Sequence, residues 1–167
     1  MFNHAVIKSL LFMTGSFLTY NSKDKNINNL AGLAKKLPIL SLLFAIGTFA
    51  IVGLPPFSGF WSKLYTLTAA ADQNLLYLII IILAVSIVEI VYYFRVLTKL
   101  YYGKQETEVE IQKPTINAYA SMLILGIIII AVGVYPDLIT GLLHNAADMI
   151  TDKAQYIGHI LSQNLPN

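Results

Sequence analysis

The stretch Gly53-Leu54-Pro55-Pro56-Phe57-Ser58-Gly59 interrupts a long apolar run, residues 38–71. As one straight helix those 34 residues would measure about 50 Å, against about 30 Å of bilayer hydrocarbon. Two adjacent prolines remove amide donors and clash with the preceding turn, while the glycines permit an unwound backbone. The run therefore reads as two half-helices, about 38–54 and 58–71, separated by a break whose residues are Gly53, Pro55, Pro56 and Gly59.

Three further apolar segments surround it, at about 3–20, 75–97 and 118–135, each bounded by polar residues that a hydrocarbon interior could not hold. Of 167 residues, 56% are hydrophobic and 12% charged, about half the roughly 25% charge of a soluble domain. Mean hydropathy is +0.66. This is an all-α integral membrane composition with room for about four or five crossings, not for a large transporter. Residues 1–137 form the expected transmembrane domain, partial by its size. Residues 138–167, with Leu138, Leu142, Ala146, Met149, Ile157 and Ile160 near helical spacing, read as an amphipathic surface helix and tail.

Loop charge decides whether 38–71 crosses once or twice. Lys23, Lys25, Lys35 and Lys36 precede it, and Lys99, Lys104 and Lys113 follow the 75–97 segment, the last group accompanied by Glu106, Glu108 and Glu110. One broken crossing puts both lysine-bearing segments in the cytoplasm and the acidic tail opposite; two crossings would separate them. The single crossing is the expectation, which gives four transmembrane helices with the second discontinuous.

Several function classes lose their support. The lysines form no continuous basic face, which argues against nucleic acid. With no cysteine there is no thiolate catalysis, Fe–S ligation or Cys-based zinc site. His144 and His159 are fifteen residues apart without a further ligand at metal spacing. No phosphate loop or nucleophile–base pair stands out, and the first residues lack the pattern of a signal peptide. Neither a cofactor nor a metal is expected, and no redox site belongs to this chain.

The informative residues are the ionisable ones inside apolar segments, since each costs roughly 2.5–3.5 kcal/mol at mid-helix even on a lenient insertion scale. His4 and Lys8 are four apart and share a helical face; they pass a proton, or they snorkel to the head groups. Lys63 lies in the second half-helix, eight residues or about 12 Å from Ala71 and just past the break. Broken helices of transporters hold ions in wet cavities at such points, and burial lets a lysine alternate between charged and neutral forms; the alternative is again snorkelling. Glu89 is mid-segment, followed by Tyr92 and Tyr93 at hydrogen-bonding spacing. It reads as a proton site or a counter-charge to Lys63, or as a protonated structural glutamate.

Three ordered blocks carry a resemblance: His4-Ala5-Val6-Ile7-Lys8-Ser9-Leu10-Leu11-Phe12, then Gly32-Leu33-Ala34-Lys35-Lys36-Leu37-Pro38, then Gly53-Leu54-Pro55-Pro56-Phe57-Ser58-Gly59-Phe60-Trp61-Ser62-Lys63. The sequence resembles the antiporter-like membrane subunits of respiratory complex I, Mrp-type cation/proton antiporters and membrane-bound hydrogenases. Tyr92-Tyr93-Phe94-Arg95-Val96-Leu97 and Gly133-Val134-Tyr135-Pro136-Asp137 are similar to that family's last two helices. The resemblance implies a fourteen-helix fold with two inverted repeats, of which this chain covers about the last third, with 38–71 as the second broken helix. It implies proton or sodium translocation with Lys8 on a central polar axis, His4 assisting, and Lys63 at the terminal exchange position. It also implies partners: other membrane subunits of a complex, among them a chain or segment supplying the first repeat. The location implied is a bacterial or archaeal cytoplasmic membrane, or an organellar inner membrane. Glu89 departs from the family pattern. A structural membrane subunit that completes a helical array without transporting is the competing expectation.

Overall fold

A computed structural model describes residues 2–22, 27–104, 111–137 and 141. Among them there is no strand. The chain divides into two units, Met1–Val134 and Tyr135–Asn167. The amphipathic helix expected over 138–167 falls, apart from Gly141, outside the described residues.

The first unit consists of α1 (Phe2–Asn21), a 3₁₀ turn (Ile27–Leu30), α2 (Leu33–Lys36), α3 (Pro38–Val52), α4 (Ser58–Asp72), α5 (Leu76–Tyr102) and α6 (Ile116–Val134). On α1 the buried positions Ile7, Leu10, Leu11, Thr14, Leu18 and Asn21 recur every three or four residues, which makes one stripe along the helix. That stripe lies mainly against α3 and α6, and α1 also touches α4. Leu10, Leu40, Leu100, Met122 and Ile129 are wholly enclosed. In lipid such contacts gain little from the hydrophobic effect, and close van der Waals packing holds the helices together.

The half-helices of the 38–71 run are found as α3 and α4, with residues 53–57 between them. Pro38 occupies the first turn of α3, where its missing N–H is no loss. At the other end Gly53 takes the left-handed conformation, φ 87°, favourable for glycine alone among common residues. Its N–H bonds the carbonyls of Phe49 and Ala50, and the Leu54 N–H also bonds Phe49, the pattern of a Schellman cap. The Pro55–Pro56 peptide is cis, and the Leu54 carbonyl accepts from the Phe57 N–H across the turn. Gly59 then brings α4 against α3 so closely that a Cβ there would overlap the Ala50 carbonyl oxygen.

Helix α5 has 27 residues, about 40 Å of length. It continues past the expected end near 97 because Thr98 to Tyr102 contain no helix breaker, and it stops at Gly103. Lys99 and the two tyrosines thus extend the helix instead of closing it. Of its length only Val96, Leu97 and Leu100 are buried. Helices α5 and α6 are long and apolar enough to cross a membrane, whereas α3 is apolar but shorter.

Both lysine-bearing segments meet at the same end of this unit. The Gly32 N–H donates to the Lys99 carbonyl at 3.3 Å, and Lys35, Lys36 and Lys104 line one recess with Tyr101 and Tyr102. The C-terminus of α1 is there too: the Asn21 side chain donates to the Gln112 carbonyl at 2.9 Å and accepts from its N–H at 2.7 Å. Since α5 starts where α4 ends and returns to the Gly32 end, α3 and α4 together advance once along the molecule.

Candidate functional site

Lys63 stands in the second turn of α4, and its side chain turns back across the break. The stem passes over Gly53, where a Cβ would lie 2.8 Å from Lys63 Cδ; the glycine that caps α3 also opens the path for the lysine. The ammonium then meets three oxygens: it donates to the Val52 carbonyl at 2.9 Å, to Ser86 Oγ at 3.0 Å and to Glu89 Oε2 at 2.6 Å.

Each acceptor has a structural origin. Val52 is the last residue of α3, and the cap at Gly53 uses the carbonyls of Phe49 and Ala50, so the Val52 carbonyl remains at the negative end of the helix dipole. Ser86 and Glu89 are three apart on α5 and share a face. The Ser86 hydroxyl donates to the Ile82 carbonyl at 2.8 Å, which turns its lone pairs toward the lysine. An ammonium has three donors and no acceptor, and here all three are used. The Lys63 and Glu89 side chains retain 26% and 27% exposure, so the pair stands at the edge of the packed helices. Glu89 is thirteen residues from either end of α5, at its middle.

Tyr92 and Tyr93 do not bond Glu89 as their spacing suggests. Their rings pack edge to face at 5.2 Å, and the glutamate's partner is Lys63. The two tyrosines instead line a recess of about 270 Å³ together with Lys8, Phe12, Gly15 and Phe44. Lys8 is half-buried there with its ammonium 5.9 Å from the Phe12 ring centre, an arrangement of cation–π type. The Lys8 recess and the Lys63 cradle therefore lie one turn apart along α5. His4 is exposed and forms no described contact with either lysine.

Ser86, the Val52 carbonyl and Asn3 were not distinguished by sequence reasoning. Asn3 Nδ2 donates to Ser62 Oγ at 2.8 Å and to the Ser58 carbonyl at 3.3 Å, tying α1 to the first turn of α4. Trp61 Nε1 donates to the Gly133 carbonyl at 2.7 Å, an anchoring role that ties α4 to α6. Among the described residues no group of acidic, histidine or cysteine side chains has the makings of a metal centre.

Comparison with known proteins follows the same lines. The family described as NADH:quinone oxidoreductase/Mrp antiporter, transmembrane, matches residues 1–88. A Staphylococcus aureus protein named as antiporter subunit mnhD2 is 30% identical over 155 residues, covering 92% of this chain and 31% of its own length. A chain of the membrane-bound sulfane sulfur reductase, an archaeal respiratory membrane complex, is 35% identical with a TM-score of 0.81, over 93% of this chain and 31% of that one. A chain of the Mrp complex from Dietzia sp. DQ12-45-1b has the same fold at 20% identity, with a TM-score of 0.82 over 95% of this chain and 38% of that one. The chain thus spans about a third of the length of the relatives it matches. It belongs to the NADH:quinone oxidoreductase/Mrp antiporter transmembrane family, as an antiporter-like membrane subunit.

Proposed function

We propose that the chain carries the terminal ion-exchange step of a proton-translocating membrane complex, with Lys63 as the exchanging group. The observation that carries this reading is the three-oxygen cradle that holds its ammonium across a helix break. A protonated lysine satisfies all three oxygens. A neutral amine has two N–H groups and a lone pair, so it leaves one oxygen opposed to its lone pair. Deprotonation and departure from the cradle are therefore coupled, and a proton lost from Lys63 changes the position of the side chain as well as its charge.

On this reading α3 and α4 make one broken crossing and the first unit crosses the membrane four times. The meeting of the two lysine-bearing segments at one end supports the single crossing, since both then face the cytoplasm. Lys8 supplies the proton from its recess, and Tyr92 and Tyr93, on the face between recess and cradle, bound the water path. His4 would serve at the entry to Lys8. The exposed apolar length of α5 meets lipid or neighbouring membrane subunits, one of which, or another segment of the same chain, contributes the first inverted repeat.

The test is proton uptake by vesicles reconstituted with the purified complex. Lys63→Ala should abolish uptake while the complex assembles normally, and Lys63→Glu, which keeps a titratable group, should be milder. A subunit that only completes the helical array would show the reverse pattern: uptake intact in Lys63→Ala, and disassembly only when the chain is removed.

A further inference from the structure

We propose that the lysine-lined recess at the Gly32 end of α5 binds one anionic phospholipid, whose phosphodiester headgroup the lysines hold and whose acyl chains lie along α5. The inference rests on α5 as a membrane crossing and is independent of any exchange at Lys63.

The recess holds about 890 Å³ between Lys35 and Lys36 on one side and Tyr101, Tyr102 and Lys104 on the other, within the roughly 300–1,000 Å³ of small-ligand sites. Local geometry brings these charges together. Gly103 ends α5 and packs so closely that a Cβ there would lie 2.5 Å from the Ala31 Cβ, and the Gly32 N–H bonds the Lys99 carbonyl. Lys104 is thereby held beside the short helix α2 that carries Lys35 and Lys36. All three lysines are exposed, and among the described residues no carboxylate pairs with them. Like charges gathered in one recess repel until an anion offsets them. A phosphodiester does so with a single charge spread over oxygens that several ammonium donors can share.

The surface beneath the recess decides in favour of a lipid over a soluble anion. On one face of α5 the exposed residues Ile81, Ala84, Val88 and Val91 are apolar, and Arg95, Lys99 and Tyr102 continue that face at three- and four-residue spacing. The change from apolar to basic comes at the end where the two exposed tyrosines stand, the level at which aromatic rings meet headgroups. Arg95 is about 10 Å below Tyr102 along the helix, and a long stem carries its charge toward the headgroup level. A soluble phosphate ester would use the lysines and leave the apolar column bare. A zwitterionic lipid would use the column and leave the lysine charge uncompensated. An anionic lipid uses both, as basic pockets at the cytoplasmic ends of membrane helices do. Since α2 packs on both α3 and α5, a lipid held there clamps the end of α5 to the start of the broken crossing.

The experiment is photo-crosslinking of the purified complex, in neutral detergent, with phosphatidylglycerol carrying a diazirine on an acyl chain, and the yield of adducts within residues 81–91 is followed against lipid concentration. Labelling of the wild type should saturate, and a phosphatidylcholine probe should need at least about tenfold more lipid. Lys104→Gln should weaken binding about fivefold and Lys35→Gln/Lys36→Gln/Lys104→Gln about a hundredfold, the scale of a lysine's attraction to anionic headgroups. Replacing the same three lysines by arginine should preserve it. Lys113→Gln removes an equal charge from an exposed residue outside the recess and should bind as wild type. Equal labelling by the two lipids, wild-type labelling of the triple glutamine variant, or equal weakening by Lys113→Gln overturns the proposal. So does displacement of the probe by soluble glycerophosphoglycerol at matching concentration, which would make the recess a site for free phosphate esters. Absence of labelling in the wild type would mean that an acidic segment of this chain or of a neighbouring subunit covers the lysines, and it too overturns the proposal. None of these outcomes bears on proton uptake by Lys63→Ala.

Discussion

Gly59→Ala should separate the two half-helices and dismantle the cradle without touching any of its atoms. A Cβ at Gly59 would lie 2.8 Å from the Ala50 carbonyl carbon, overlap its oxygen, and stand 3.4 Å from Ile7 Cδ1. Carbon atoms pack at about 3.5–4.0 Å, so α4 must move off α3 by about 1 Å. Ala50 is two residues before Val52, and Gly59 is one turn before Lys63, so the same displacement acts on the hydrogen bond between them. From 2.9 Å it would stretch toward ~3.9 Å, beyond hydrogen-bonding length. Overpacking of this kind costs about 1–3 kcal/mol, and the lost bond to a charged group about 1.5–3 kcal/mol. Together they are a large share of a domain's typical stability of about 5–15 kcal/mol. Thermal unfolding of the purified complex should shift down by several degrees, and proton uptake by vesicles should fall by as much as about a hundredfold, the usual effect of a 1 Å misplacement at a reacting group. A variant melting with wild type and pumping within about twofold of it would refute the claim that this contact sets the cradle.

Other perturbations separate the parts of the account. Glu89→Gln keeps an acceptor near Lys63 but removes the charge, and proton flux should fall about tenfold, the equivalent of ~1.4 kcal/mol; unchanged flux in the vesicle assay would show that the glutamate is only structural. Asn21→Ala removes both hydrogen bonds to Gln112 and should lower stability by about 1–3 kcal/mol, with faster hydrogen exchange at the Gln112 amide as the diagnostic; equal exchange would place the clamp elsewhere. Because the sequence has no cysteine, Lys35→Cys and Lys104→Cys can be labelled separately with a membrane-impermeant thiol reagent. Both should react from the cytoplasmic side, and reaction from opposite sides would mean that residues 38–71 cross twice.

The break in the second apolar run was the most legible feature of the sequence because its physics is local. Two prolines and a capping glycine end a helix whatever surrounds them, and the half-helices expected at 38–54 and 58–71 are found at Pro38–Val52 and Ser58–Asp72. Helix α5 was less legible at its C-terminus: Lys99 and the tyrosines read as an interface, but an interface does not break a helix, and Gly103 does. The pairing of Lys63 with Glu89 was one of three readings of the glutamate, beside a proton site and a protonated structural acid. Twenty-six residues separate the pair, and only the packing of α4 on α5 decides between a counter-charge and an isolated protonated acid. The spacing of Tyr92 and Tyr93 pointed toward Glu89, yet adjacency on one helix does not fix where a ring turns, and theirs pack on each other and line the Lys8 recess. Ser86 and the Val52 carbonyl were silent in the sequence. A serine in an apolar helix bonds its own backbone as a rule, and a backbone carbonyl has no residue type to announce it.

The central claim is that a titratable group at position 63, held at the broken end of α3, is required for ion translocation. Proton flux into vesicles carrying the Lys63→Ala complex, normalised to the amount of assembled complex, tests it most directly. The account predicts flux at the level of protein-free vesicles with assembly unchanged, and flux equal to wild type would contradict it.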